Sequence, residues 1–163
     1  MRLSHSNPGN RLFLGCFLED APIGQPFPRV NWPLHITLVP WFLCGLPDKL
    51  DMELARALAG LQQFDVRVGD ETMFGSKKNI RVNLIEPNDQ LSKLHQILLG
   101  KVRQLGQLNT DEQFTGEGYR AHITHVRDRF RLSGDKVRID SIHLTELTDP
   151  GHCTPLKRYG INP

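Results

Sequence analysis

Hydrophobic and polar positions follow two periods along this chain, and the switches between them predict its elements. Arg11 opens an apolar run, Leu12-Phe13-Leu14-Gly15-Cys16-Phe17-Leu18, closed by Glu19-Asp20, which predicts a buried strand. Pro22, Gly24, Pro26 and Pro28 then mark a loop. Over residues 32–39, Leu34, Ile36 and Leu38 alternate with His35, Thr37 and Val39, the pattern of a strand with one core face, and Pro40 is expected to end it. Leu50, Leu54, Ala57, Leu58 and Leu61 recur at three- and four-residue steps and predict a helix with Asp48 as its N-cap. Alternation returns over residues 64–68 and 80–84, on either side of a turn at Gly75-Ser76-Lys77-Lys78-Asn79. Leu91, Leu94, Leu98, Val102 and Leu105 form the stripe of a second helix, capped by Asn88 or Asp89, with His95 at its edge as a packing or surface residue. Residues 106–118 read as a loop or short edge strand. Strands are expected from Tyr119 and over 137–147, then a turn at Pro150-Gly151 and a last short strand over 156–161.

The resulting order, β-β-α-β-β-α-β-β(-β), predicts an α+β fold. We expect one domain over residues 1–163, built as two related lobes of largely antiparallel sheet with flanking helices.

Composition changes this picture little. Apolar residues make up 39% and charged residues 23%, which is ordinary for a globular chain and argues against disorder. No apolar run approaches the roughly 18 residues that span a bilayer, so no membrane role is expected. The opening residues, Met1 to Pro8, have no signal-peptide pattern, and a cytoplasmic location is the expectation. Cys16, Cys44 and Cys153 form no Cys-x-x-Cys pair and no disulfide framework. A net charge of +2 is too small to diagnose nucleic-acid binding. Local clusters say more: Lys77, Lys78 and Arg81, and again Arg120, Arg127, Arg129 and Arg131, are basic patches of a kind that holds phosphate.

Candidate chemistry lies in two copies of one triplet, His35-Ile36-Thr37 and His122-Ile123-Thr124. On a strand, residues i and i+2 share a face, so each copy aims an imidazole and a hydroxyl one way and buries an isoleucine the other. Two such pairs facing each other across a groove between the lobes would surround one anionic group with an acid, a base and two hydroxyl donors. His-x-Thr alone is weak evidence, since it also occurs at His143/Thr145 and His152/Thr154. His152 sits beside Pro150-Gly151 and Pro155, a turn context. The face of Ser141, His143 and Thr145 reads as the solvent side of a strand. A zinc site of His35, His122 and His125 is a rival, disfavoured because residues 122 and 125 point to opposite faces of a strand.

The paired triplets, with Leu34 to Leu38 and Tyr119-Arg120-Ala121-His122-Ile123-Thr124 around them, resemble the 2H phosphoesterase superfamily. The similarity is to its bacterial 2′-5′ RNA ligase-like branch, which includes RNA 2′,3′-cyclic phosphodiesterases. Ala121 stands where many relatives have proline, and His125 where an aliphatic is usual. The resemblance implies a cyclic phosphodiesterase that opens a 2′,3′-cyclic phosphate to a 2′-phosphate, with reversible 2′-5′ RNA ligation as a further activity. It implies His122 as the base on water and His35 as the acid on the leaving oxygen. Thr37, Thr124 and Arg127 would hold the phosphate oxygens, and Trp41 or Phe42 would stack on a base or ribose. No cofactor and no metal are implied. The partner would be an RNA 3′ end or a nucleotide bearing a cyclic phosphate, and the protein a monomer. Two alternatives stay open: a non-catalytic RNA- or nucleotide-binding module on the same fold, and a hydrolase of another cyclic phosphodiester, such as an ADP-ribose cyclic phosphate.

Overall fold

A computed structural model describes residues 11–108, 115–148 and 151–163. The N-terminal stretch read for a leader, part of the expected 106–118 loop, and Pro150 lie outside the described residues. Strand-forming alternation produces nine strands in one antiparallel sheet among the described residues: β1 (Arg11–Phe17), β2 (His35–Leu43), β3 (Phe64–Phe74), β4 (Ile80–Ile85), β5 (Gln107–Leu108), β6 (His122–Thr124), β7 (Lys136–Ile139), β8 (Ser141–Thr148) and β9 (His152–Gly160). Their order is β7-β3-β4-β6-β2-β1-β8-β9, with β5 appended to β2, and the sheet curls into a half-barrel. Each His-Ile-Thr strand is the inner edge of a four-strand half, and the halves join where β2 meets β6, with Ile36 opposite Ile123.

Helices α1 (Pro47–Leu58) and α2 (Asp89–Leu105) cover one face. Their Leu50, Leu54, Leu58, Leu91, Leu94 and Leu98 share a buried core with Ile36, Leu38 and Ile123. Alternation along β2 and β6 therefore turns the histidines and threonines to the opposite, concave face. Asn88 caps α2 by accepting from the Leu91 amide at 2.9 Å. Asp48 is not the cap of α1. Pro47 occupies the first helical turn after Leu46, and Asp48 adds its negative charge within that turn.

Pro40 does not end β2. Two one-residue register shifts against β1, between Leu12 and Leu14 and between Leu14 and Gly15, absorb it. Two extra residues preserve the period, so Trp41 shares the concave face with His35 and Thr37. Phe42 turns into the core, where it is fully buried opposite Leu12 and Leu108. Phe42 is therefore no stacking residue. The single strand expected over 137–147 is two: β7 pairs with β3 and β8 with β1, so the chain crosses from one half to the other at Asp140. The Ser141, His143 and Thr145 face is not solvent-facing. All three are buried, with the Phe17 ring edge-on to His143 at 5.0 Å. His152 begins β9 and pairs with Thr148 rather than lying in a turn. Among the described residues the three cysteines are free and buried, and no helix is long and apolar enough to cross a membrane.

Candidate active site

The Ile36–Ile123 register sets the polar geometry. In an antiparallel pair it puts His35 across from Thr124 and Thr37 across from His122. Directly opposed side chains stand about 5 Å apart at Cβ, and the two histidines lie on the diagonal at about 7 Å. All four line one groove of about 750 Å³ on the concave face. This spacing leaves room for one tetrahedral group between the rings.

Both rings are held in the same way. His35 Nδ1 lies 2.9 Å from the Pro33 carbonyl and His122 Nδ1 lies 2.8 Å from the Arg120 carbonyl. A carbonyl oxygen only accepts, so each Nδ1 carries the proton and each Nε2 is left for a ligand. Burial lowers the pKa of His35; the Pro33 bond opposes this and the His122 charge reinforces it. Burial likewise lowers His122, against its Arg120 carbonyl bond and together with the Arg120 charge. The Tyr119 hydroxyl donates to the Thr37 carbonyl at 2.7 Å, and its ring stacks on His95 at 3.9 Å. His95 is a brace: Nδ1–H donates to the Leu38 carbonyl at 2.6 Å and Nε2 accepts from the Gly116 amide at 2.9 Å.

Aromatic rings wall one end of the groove. Trp32 stacks on Phe13 at 6.3 Å, and Trp41 meets Phe13 edge-on at 4.5 Å. His35 packs against Phe13 and Phe17 at 5.5 and 5.4 Å. The expected strand over 32–39 puts Trp32 in phase with the core residues Leu34 and Ile36, but β2 begins at His35 and Trp32 lies before it, against Phe13, in the lining of the groove. The Glu19–Arg129 ion pair is equally hidden in the sequence, since it bridges residues 110 apart. Glu19 accepts from the Leu34 amide at 2.6 Å, and Arg129 donates to Asn31 Oδ1 at 2.8 Å, which ties the loop bearing Trp32 to the opposite half. Burial alone would raise the Glu19 carboxyl, but the Leu34 amide and the Arg129 guanidinium together hold it lower.

Arg127 lines the same groove and is exposed. It sits in a tight turn closed by reciprocal Val126–Arg129 backbone bonds of 3.0 Å, at φ +57°, a conformation that favours glycine. Its guanidinium makes no hydrogen bond or ion pair with another described residue. His125 also lines the groove, but its Nε2 is engaged by Asn83 Oδ1 at 2.6 Å and its ring stacks on Phe130 at 5.1 Å. Among the described residues no group of three or more His, Cys, Asp or Glu side chains is placed to hold a metal ion.

This chain belongs to the 2′-5′ RNA ligase superfamily, whose family model matches residues 23–132, two thirds of its length. Its fold is shared with several solved proteins. A crystal structure of a phosphoesterase covers 96% of this chain and 100% of its own at 18% identity and a TM-score of 0.63. LigT of E. coli, complexed with phosphate, covers 94% of this chain and 98% of its own at 17% identity and a TM-score of 0.62. TT0787 of Thermus thermophilus covers 93% of this chain and 97% of its own at 18% identity and a TM-score of 0.57. At such identities the likeness is one of fold. No curated protein matches the chain.

Proposed function

We propose that this protein is a cyclic phosphodiesterase that opens a 2′,3′-cyclic phosphate, on an RNA 3′ end or a nucleotide, to a 2′-phosphate by two-histidine acid–base catalysis. The observation that carries this reading is the Ile36–Ile123 register, which brings two identically hydrogen-bonded imidazoles and two hydroxyls to one groove. Superfamily membership and the crystal structures of E. coli LigT with phosphate and with 3′-AMP support it.

In this mechanism His122 Nε2 takes a proton from water as its oxygen attacks phosphorus. His35, protonated at Nε2, gives its proton to the ribose 3′ oxygen as that bond breaks. Each role contributes about 10²–10⁴-fold. Thr37 and Thr124 hydroxyls donate to the non-bridging oxygens, and Arg127 adds a charge-assisted hydrogen bond to the same group. Trp41, with Trp32 beside it, offers a stacking face for the base. A nucleoside 5′-hydroxyl in place of water would give its proton to His122, bond to phosphorus as the bond to the 3′ oxygen breaks, and leave a 2′-5′ linkage.

The test is hydrolysis of nucleoside 2′,3′-cyclic monophosphates and of a short RNA ending in a cyclic phosphate, with EDTA present, by wild type, His35→Ala and His122→Ala. We expect a single 2′-phosphate product that disappears in both variants. Activity surviving both substitutions would place the chemistry elsewhere. A folded wild type that turns over none of these substrates would reject the assignment.

A further inference from the structure

Two hydrogen bonds meet on one peptide unit beside His35. The Pro33 carbonyl accepts from His35 Nδ1 at 2.9 Å, and the Leu34 amide donates to Glu19 Oε1 at 2.6 Å. That carbonyl and that amide are the two ends of the Pro33–Leu34 peptide. A planar trans peptide points its C=O and N–H in opposite directions, so it joins the carboxylate to the imidazole in a line. Arg129 Nη1 donates to both oxygens of Glu19 from behind, and the Arg131 charge also favours the ionised carboxylate. The unit that holds His122, Arg120–Ala121, has a different neighbour: the Arg120 guanidinium, whose charge lowers His122.

Resting on the two-histidine reading, we propose that Glu19 is a positioning residue for His35, acting through the Pro33–Leu34 peptide, and that it decides which histidine of the pair enters the reaction protonated. A negative charge at the amide end makes the carbonyl oxygen at the other end more negative, because hydrogen bonds in a chain polarise one another. That oxygen accepts only from Nδ1–H, so the relay fixes the tautomer and orientation of the His35 ring. It also favours the imidazolium, whose second proton sits on Nε2, where the leaving oxygen needs it. The other neighbours of His35 are the Phe13 and Phe17 rings of β1, the Trp32 ring, and His122. Among the described residues His122 is the titratable group facing it, and its charge opposes a proton on His35. Glu19 thus works against both burial and His122. Arg129 locates the carboxylate and offsets part of its charge, so the two residues act on His35 with opposite sign.

The experiment is an NMR titration of the histidine side chains in the full chain, assigned with His35→Asn, for wild type, Glu19→Gln and Arg129→Gln. Glu19→Gln keeps an oxygen for the Leu34 amide and removes the charge. Arg129→Gln removes the cation and leaves the carboxylate held by the Leu34 amide and Arg131. We expect the His35 pKa to fall by about 0.5 or more in Glu19→Gln and to rise in Arg129→Gln, with His122 moving less in both. The alkaline limb of kcat/KM for adenosine 2′,3′-cyclic monophosphate should move in the same directions, a loss of roughly threefold above neutral pH in Glu19→Gln. A His35 pKa that does not fall in Glu19→Gln overturns the proposal. So does a fall in both variants, which is what a merely structural clasp would produce. A fall in Glu19→Gln alone upholds it. If Glu19→Gln does not fold, a rise in Arg129→Gln upholds the proposal and any other result overturns it. If wild type hydrolyses no cyclic phosphate, the two-histidine reading fails, and the titration still decides whether Glu19 acts on His35.

Discussion

Arg127 allows its charge and its backbone to be separated by experiment. Its φ of +57° costs an L-residue about 1 kcal/mol or more, and glycine adopts it freely. Glycine also loses about 0.4–1 kcal/mol through the greater freedom of the unfolded chain. The side chain is exposed and makes no polar contact with the described fold, so its removal forfeits little packing. Arg127→Gly is therefore expected to be as stable as wild type or slightly more so. Arg127→Ala keeps the strained turn and should be about 0.5 kcal/mol less stable than the glycine variant. Both lose one charge-assisted hydrogen bond to the phosphate, worth about 1.5–3 kcal/mol, which is a fall of roughly 10- to 150-fold in kcat/KM. Urea unfolding and cyclic-phosphate hydrolysis on the three proteins provide the two readouts. A glycine variant destabilised by more than about 1 kcal/mol would show that the guanidinium supports the fold. Full activity in both variants would remove Arg127 from the site.

Two more outcomes follow from buried histidines. Burial lowers both His35 and His122, and the reaction needs one protonated and one neutral, so kcat/KM should be greatest in the acid range. It should fall as pH rises through the higher apparent pKa of the pair; a plateau extending above pH 8 would contradict this. Burial pushes His143 from 6.5 down to about 4, with the Arg158 charge reinforcing the shift and Asp140 opposing it. Below pH 6.5 the unfolded chain binds a proton that the folded one refuses, so stability drains as pH falls from 6.5 towards 4. The full interval corresponds to about 3 kcal/mol. Denaturant titrations at pH 7 and 4.5 should show a smaller acid loss in His143→Asn than in wild type, and equal losses would refute the assignment.

The triplets themselves were legible because a strand has an unambiguous period of two: reading His35 and Thr37 on one face and Ile36 on the other needs no tertiary information. The same rule failed at Pro40, where two compensating irregularities keep the alternation going in a strand that proline would normally stop. It failed again at Asp140, because the β7 and β8 patterns join without a break although their partners lie in different halves. The lining of the groove was the least legible part. Trp32 and Phe74 belong to segments some 40 residues apart, and only the assembled sheet brings one beside His35 and the other beside His122. The His143 face misleads because it is polar by residue type yet lies under the Phe17 ring.

The two halves are not two consecutive stretches of chain. One is made of β1, β2, β8 and β9, the other of β3, β4, β6 and β7, so the half that carries His35 needs both ends of the chain. β1 lies between β2 and β8, and its Phe13 is paired with Thr145, more than 130 residues further on. Loop closure on that scale slows folding, because the entropy is lost before the contacts that offset it can form. During synthesis β2 and β6 can emerge and pair while β1 still exposes one edge to solvent. The β1 strand that packs Phe13 and Phe17 on His35 is thus paired along both edges only when the last 23 residues, from Ser141 on, have docked. The lowered basicity of His35 should accordingly be a late event in folding, and a chain truncated before β8 would hold both histidines and the rings of Phe13 and Phe17 on a β1 strand paired along one edge only.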